Sequence, residues 1–350
     1  QGESFNAEKA LAMGVVNELA ASSETVEKAK AWVKANPTAK APWDVKGFKV
    51  PGGVPHRSPG AGQVMTMANA MLHAKTYGNY PAQKNILSCI YEGIMVPIDA
   101  GLRIETRYFI NTQQRPEAKA MIRSLFLSTQ ALSKGANRPA GYPKYALNKV
   151  AVIGAGLMGA GIAYEQARAG IETILVDVSV ENAEKGKDYS RKLVEKNVSR
   201  GKMTQEKGDA LLALIKPTAN YDDFKGADLV VEAVFENPEL KAQITKLAEA
   251  QLSDTAVMGS NTSTLPITGL AEASVRPANF IGIHFFSPVE RMGLVEIISG
   301  KETSEETLAK TIDYVLAIRK TPIVVNDSRG FYTSRCFGTY TQEGLEMLGE

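Results

Sequence analysis

The feature that most constrains this chain is a glycine-rich turn between an apolar β-run and a helical stretch. Val150-Ala151-Val152-Ile153 leads into Gly154-Ala155-Gly156-Leu157-Met158-Gly159, and the pattern predicts a helix over 160–169. Gly154 permits the tight turn. Gly156 lets the backbone approach a pyrophosphate whose charge the helix N-terminus stabilises, with Leu157 and Met158 on the same arc, and Gly159 allows close helix–strand packing. A second apolar strand, predicted over 173–177, ends in Asp177, 23 residues after Gly154. A carboxylate there accepts hydrogen bonds from a ribose and repels a 2′-phosphate. No Arg follows within the next few residues, so NAD is expected rather than NADP. The bland alternative is a glycine turn without a ligand.

Beyond the turn the alternation continues. Short β-branched runs at 149–153, 173–177, 229–234, 256–259, 280–285, 295–298 and 323–325 are separated by helical stretches. That order predicts an α/β domain of Rossmann type with a largely parallel core, placed over 147–325. The region before it differs. A helix end, a glycine stop at Gly14 and a short strand are predicted over 6–19, and a helix over 24–35. A Pro/Gly loop spans 51–63, and helices follow at about 63–76, 82–94, 97–113 and 116–134. The Gly/Pro-rich break at 135–143 predicts the end of this α-helical region, assigned to 1–140. Residues 326–350 read as a new helix that stops abruptly at Glu350.

A length of 350 residues suits two or three domains, and 44% hydrophobic with 22% charged residues is ordinary globular composition. No apolar stretch reaches ~18 residues, so no membrane span is expected. The first residues carry no basic n-region and no apolar h-region, so secretion is not expected. The chain does not start with Met, and a processed, tagged or internal piece is expected. Cys89 and Cys336 stand apart from each other and from any Cys/His cluster. A disulfide framework and a metal site are therefore not expected, and a cytoplasmic or other reducing compartment is. Residues 1–148 hold 18 Lys+Arg against 10 Asp+Glu, and the remainder 22 against 28. The basic residues are interspersed with apolar ones, which reads as solvated helix faces, and no nucleic-acid partner is expected.

Three histidines narrow the search for a general base. His56 lies in the Pro/Gly loop and is expected to face solvent. His73 is expected to be a packed helix residue. His284 ends the predicted strand 280–285, and strand ends line the ligand crevice of such sheets. Glu296 follows twelve residues later on the next strand. If the two strands pair, Glu296 takes a hydrogen bond from one ring nitrogen and sets the tautomer, leaving the other nitrogen for proton exchange. Taken alone, His284 reads equally as a satisfied core residue. Asn261-Thr262-Ser263-Thr264 follows another strand and reads either as crevice hydroxyls or as a turn cluster.

From about residue 147 onward the chain resembles the L-3-hydroxyacyl-CoA dehydrogenases. The resemblance rests on Val152-Ile153-Gly154-Ala155-Gly156-Leu157-Met158-Gly159, Val231-Glu232-Ala233-Val234-Phe235-Glu236-Asn237, Ser260-Asn261-Thr262-Ser263 and His284-Phe285-Phe286-Ser287-Pro288. It implies that His284 and Glu296 form the catalytic pair, that Ser263 contacts the reacting part of the substrate, and that Glu236 and Lys241 contact the cofactor. The implied reaction oxidises an L-3-hydroxyacyl-CoA thioester with NAD. The family's usual D-S/C-P-G-F-x-x-N-R segment reads Asp327-Ser328-Arg329-Gly330-Phe331-Tyr332-Thr333-Ser334-Arg335 here. Ser334 takes the place of an Asn that binds substrate. The first ~140 residues resemble the C-terminal part of a crotonase-type hydratase/isomerase with its linker helices. The two together resemble multifunctional fatty-acid β-oxidation enzymes, which implies a longer polypeptide, a hydratase activity elsewhere in it, and a thiolase subunit or a second copy as partner. Two other readings stay open on the residues alone: a non-catalytic NAD-binding assembly module, and an NAD-dependent dehydrogenase of a non-CoA hydroxy acid.

Overall fold

The computed structural model describes residues 5–350 and divides into two compact units, the first ending at Phe126 and the second running from Leu127 to Glu350. The first unit is helical. Its main helices are Ala7–Ala12, Thr25–Ala35, Pro59–Thr76, Pro81–Gly93 and Ile98–Gln114. Three start with proline in the first turn or directly after it, where the missing N–H costs no hydrogen bond. The strand expected after Gly14 does not form. Val15 and Val16 are exposed, and among the described residues no strand of this unit is available to pair with them. His56 is exposed, as expected. His73 is exposed too, contrary to expectation, because its neighbour Leu72 takes the buried position on that turn. The helix expected over 116–134 is broken into Pro116–Met121, a π-helical stretch Ile122–Ser128 and Thr129–Ser133.

The second unit is built on one eight-stranded sheet. Its strands are β1 Lys149–Ile153, β2 Glu172–Val176, β3 Ile215–Thr218, β4 Leu229–Glu232, β5 Val257–Ser260, β6 Phe280–Phe285, β7 Leu294–Ser299 and β8 Thr321–Val325, in the order β3-β2-β1-β4-β5-β6-β7-β8. All neighbours run parallel except β6 and β7. β1, β4 and β6 are buried nearly throughout, as strands covered on both faces must be. Alternate residues enter two separate cores. Val150, Val152, Val231 and Ile283 face one, and Ala151, Ile153, Val230 and Phe280 face the other. β3 was not predicted from sequence. It pairs only with β2 and contains Pro217, which an edge strand tolerates because one side of its ladder is open.

Two features of this sheet place the site. The strand order reverses at β1, between β2 and β4, which opens a crevice beyond their C-terminal ends. The antiparallel β6–β7 pair then sets His284 directly opposite Glu296. The segment ahead of β1 packs onto this unit rather than ending the first: Arg138 bonds Asp313 through Nε and Nη2 at 2.8 and 2.9 Å, and Tyr145 N–H reaches Asp313 Oδ2 at 2.8 Å. The boundary between units therefore falls before the Gly/Pro break at 135–143.

Candidate active site

The glycine turn begins where β1 ends. Gly154 has φ +96°, and a Cβ there would lie 2.7 Å from Ala233 O. At Gly159 a Cβ would lie 1.7 Å from Gly154 O, so the helix Leu157–Arg168 crosses its own turn at a distance only glycine permits. Gly156 is the opposite case. Its backbone is extended and a Cβ would meet nothing within 4 Å. The helix starts at this open spot with no side chain capping it, so its first N–H groups face the space. Leu157 is exposed there and Met158 half-buried. Asp177 follows β2, and its carboxylate accepts from Ala155 N–H at 2.7 Å and from Val178 N–H at 2.8 Å. A pyrophosphate fits the space before Gly156, and the neighbouring carboxylate suits a ribose.

Across the crevice, His284 Nδ1 lies 2.7 Å from Glu296 Oε2. Both are buried. The imidazole is flanked by Phe286 and Phe331, with ring centroids 4.6 and 6.0 Å away, which restrict its rotation. Glu296 has a second task. Its Oε1 accepts the backbone N–H groups of Tyr332 and Thr333 at 3.2 and 2.9 Å, at the start of the helix Thr333–Glu346. Gly330 and Phe331 are both left-handed, with φ +76° and +47°, and turn the chain so that these donors point inward. Phe331 carries a strain of about 1–2 kcal/mol in doing so, and its buried ring helps to hold it. Burial alone would push the Glu296 carboxyl up. Hydrogen bonds from His284 and Thr333 outweigh it and hold the group below the usual carboxylate range.

The third side of the crevice is formed by the ends of β4 and β5. Glu236 Oε1 accepts from Thr262 Oγ1 at 2.6 Å, Ser263 N at 3.0 Å and Thr264 N at 3.2 Å. Burial raises the Glu236 carboxyl, but the Thr262 hydroxyl and the Lys241 charge bring it below its ordinary value. Lys241 is buried. Its ammonium bonds both oxygens of Glu232, at 2.9 and 3.0 Å, and lies 3.3 Å from Glu236 Oε2. Asn261 Oδ1 accepts Phe285 N–H at 2.8 Å, which ties the β5 loop to the strand bearing His284.

These walls border an open cavity of about 750 Å³ lined by Met158, Glu236, Ser263, His284 and Ser334, together with Asn261, Phe286 and Thr333. Five residues predicted from sequence thus meet on one surface. Glu296 lies behind His284, Gly154 and Gly159 shape the turn from behind, and Asp177 stands to one side. Lys241 does not line the cavity. Sequence reasoning missed Glu232 and the capping donors of Tyr332 and Thr333. A carboxylate closing an otherwise apolar strand, with a lysine nine residues on, was the available signal for Glu232; backbone donors leave none.

Sheet order, glycine turn and the histidine–carboxylate pair together define a dinucleotide-binding α/β oxidoreductase domain. Residues 149–328 match the family described as 3-hydroxyacyl-CoA dehydrogenase, NAD binding domain. This chain belongs to that family and carries its NAD-binding domain. Over 350 residues it is 37% identical to the fatty acid oxidation complex subunit alpha of Shewanella baltica, covering 100% of this chain and 49% of that protein. The chain spans about half the length of the curated relatives it matches. Among solved structures it is similar to (S)-3-hydroxybutyryl-CoA dehydrogenase PaaH1 from Ralstonia eutropha, with a TM-score of 0.57, 36% identity, and coverage of 58% of this chain and 72% of that one. It is likewise similar to FadB2 of M. tuberculosis, with a TM-score of 0.56, 33% identity, and coverage of 59% and 73%. Among the described residues no helix is long and apolar enough to cross a membrane.

Proposed function

We propose that the chain, as part of a longer polypeptide, carries out the NAD-dependent oxidation of an L-3-hydroxyacyl-CoA thioester to the 3-ketoacyl-CoA, with His284 as general base. The observation that carries this is the buried His284–Glu296 pair, 2.7 Å apart, on the wall of a cavity that also opens toward the glycine turn. When bound along that turn, NAD supplies the acceptor for the hydride leaving C3. His284 Nδ1 is engaged by Glu296, so Nε2 takes the proton of the C3 hydroxyl as the carbonyl forms. Glu296 remains ionised and stabilises the imidazolium. Ser263 and Ser334, both on the cavity lining, bind the reacting end of the thioester. Glu236 borders the cofactor on the β4 side, and Asp177 selects NAD over NADP at the ribose.

The match to the Shewanella subunit runs through the whole chain, which supports reading residues 1–140 as the C-terminal part of a hydratase/isomerase with linker helices. On that reading residues 147–325 form the NAD-binding domain and 326–350 the start of the helical dehydrogenase domain. A parent polypeptide with enoyl-CoA hydratase activity, a reducing compartment, and association with a thiolase subunit or a second copy follow from the same reading.

The test is His284→Gln. Loss of a general base lowers the rate ~10²–10⁴-fold, while the NAD dissociation constant stays within about twofold of the parent. Turnover is measured with 3-hydroxyacyl-CoA thioesters beside the corresponding free hydroxy acids. Equal turnover of the free acids, or normal turnover by His284→Gln, overturns the proposal.

A further inference from the structure

We infer that Lys320 is a positioning residue for the reaction: through backbone carbonyls its ammonium holds the loop after β6, so that Phe286 keeps the His284 ring in place. This deepens the reading above and rests on His284 being the base. The loop spans 286–293, between β6 and β7. It begins two residues after His284 and lines the cavity with Phe286 and Ser287. Phe286 supplies the ring whose centroid lies 4.6 Å from that of the imidazole. The loop lies outside the sheet ladder, so its backbone groups need partners from elsewhere.

Those partners come from one buried cation and its neighbour. Lys320 Nζ donates to Val289 O at 2.6 Å and to Met292 O at 2.9 Å. Thr321 N–H, at the start of β8, reaches Gly293 O at 2.7 Å. The Lys320 side chain is 4% exposed, and its ammonium also lies 3.5 Å from Glu165 Oε2. Burial pushes the ammonium down from its ordinary value, and the Glu165 charge opposes that. Glu165 balances the charge, with Arg168 Nη2 2.8 Å from the same oxygen, and makes no hydrogen bond to the loop. The backbone is bent to deliver Lys320. Arg319 is left-handed, with φ +60°, a conformation that persists in a residue with a Cβ only where its surroundings impose it. On another side Val289 is wedged against the helix Leu157–Arg168: a Cβ at Gly161 would lie 2.8 Å from Val289 Cβ. The loop is thus pinned between Lys320 and the nucleotide helix.

Two variants separate position from stability. Lys320→Met keeps an unbranched side chain and removes the donors, while Glu165 retains Arg168 and is not stranded. Glu165→Gln removes the charge partner and leaves the bonds to the loop. Both are expected to melt lower than the parent. Only Lys320→Met is expected to lower kcat, by about tenfold or more at saturating NAD and 3-hydroxyacyl-CoA, since a displacement of ~1 Å costs up to ~10²-fold. It alone is also expected to shift the NMR signal of the His284 ε1 C–H in the NAD-free protein, because that proton feels the Phe286 ring. The signal is one of three from histidines, and its absence in His284→Gln identifies it. If Lys320→Met does not fold, Lys320→Met/Glu165→Gln, which lacks both members of the buried pair, takes its place with the same expected losses. An unmoved His284 signal or an unchanged kcat in the lysine variant overturns the inference, as does an equal loss in Glu165→Gln. A parent protein that turns over no 3-hydroxyacyl-CoA overturns the functional reading instead, and the His284 signal still tests what holds the ring.

Discussion

At Glu296 one carboxylate performs two jobs, and this makes its protonation a structural as well as a chemical event. Oε2 orients His284, and Oε1 caps the helix that carries Ser334. Its folded pKa is depressed below the unfolded value. Such a group adds stability above the unfolded value, and that stability is lost as pH falls through the folded value. The window therefore lies below ~4.3, the ordinary glutamate value. Glu296→Gln is expected to melt lower than the parent at neutral pH, by the loss of charge-assisted bonds that contribute about 1.5–3 kcal/mol each. The gap should close progressively as pH falls below ~4.3. Thermal melts of both proteins across that range check it, and a gap constant with pH refutes the assignment. The His284–Glu296 partnership was legible in sequence because strand pairing alone brings them together. The capping role was not, since it depends on two left-handed residues, Gly330 and Phe331, one of which is a phenylalanine that no turn rule would place there.

At the scale of elements, the strand–turn–helix around Gly154–Gly159 was readable because local geometry dictates it. Each glycine meets a different obstacle, and two of them separate folding from binding. Gly159→Ala puts a Cβ 1.7 Å from a backbone oxygen that cannot move without unwinding the turn. It is expected to destabilise the second unit by about 3 kcal/mol or more. Gly156→Ala meets no protein atom within 4 Å, so stability should stay within ~0.5 kcal/mol. Its methyl instead occupies the space assigned to the pyrophosphate, and NAD affinity should fall at least about tenfold by lost phosphate hydrogen bonds. Chemical denaturation and NAD titration of both variants test the pair. If Gly156→Ala binds NAD normally, the pyrophosphate does not lie there. The elements that sequence reading missed or misplaced lack this local dictation. β3 is held by its single neighbour despite Pro217, and the valines after Gly14 form no strand for want of one. Strand formation is decided by partners distant in sequence, which a local pattern does not contain.

For the molecule as a whole, what escaped the sequence is the attachment of the segment ahead of β1. A Gly/Pro-rich run reads as a loose connection, yet here it is tied down by residues far along the chain. Arg138 donates to both oxygens of Asp313, 175 residues away, and to the carbonyls of Tyr142 and Pro143 at 3.1 and 2.7 Å. Asp313 lies on the helix Glu305–Ala317, which packs on β5, β6, β7 and β8. Tyr145 continues the attachment through its hydroxyl to Asp228 O at 2.9 Å, and Asp228 Oδ2 in turn accepts Asn148 N–H at 2.7 Å just before β1 begins. The Asp313 side chain is 4% exposed and that of Arg138 18%, so removing the cation strands a nearly buried carboxylate. Breaking such a pair costs about 3–5 kcal/mol. Arg138→Ala is therefore expected to lower the melting transition of the second unit. That transition is recognised by its upward shift when NAD is added, since a ligand stabilises only the unit that binds it. Asp313→Asn should cost less, because one amide oxygen still accepts from Arg138 and the charge left uncompensated is the guanidinium, which is more exposed than the carboxylate. Differential scanning calorimetry of the three proteins, with and without NAD, decides the matter. An NAD-sensitive transition unmoved in Arg138→Ala would mean that the segment merely lies on the domain and contributes nothing to holding it folded.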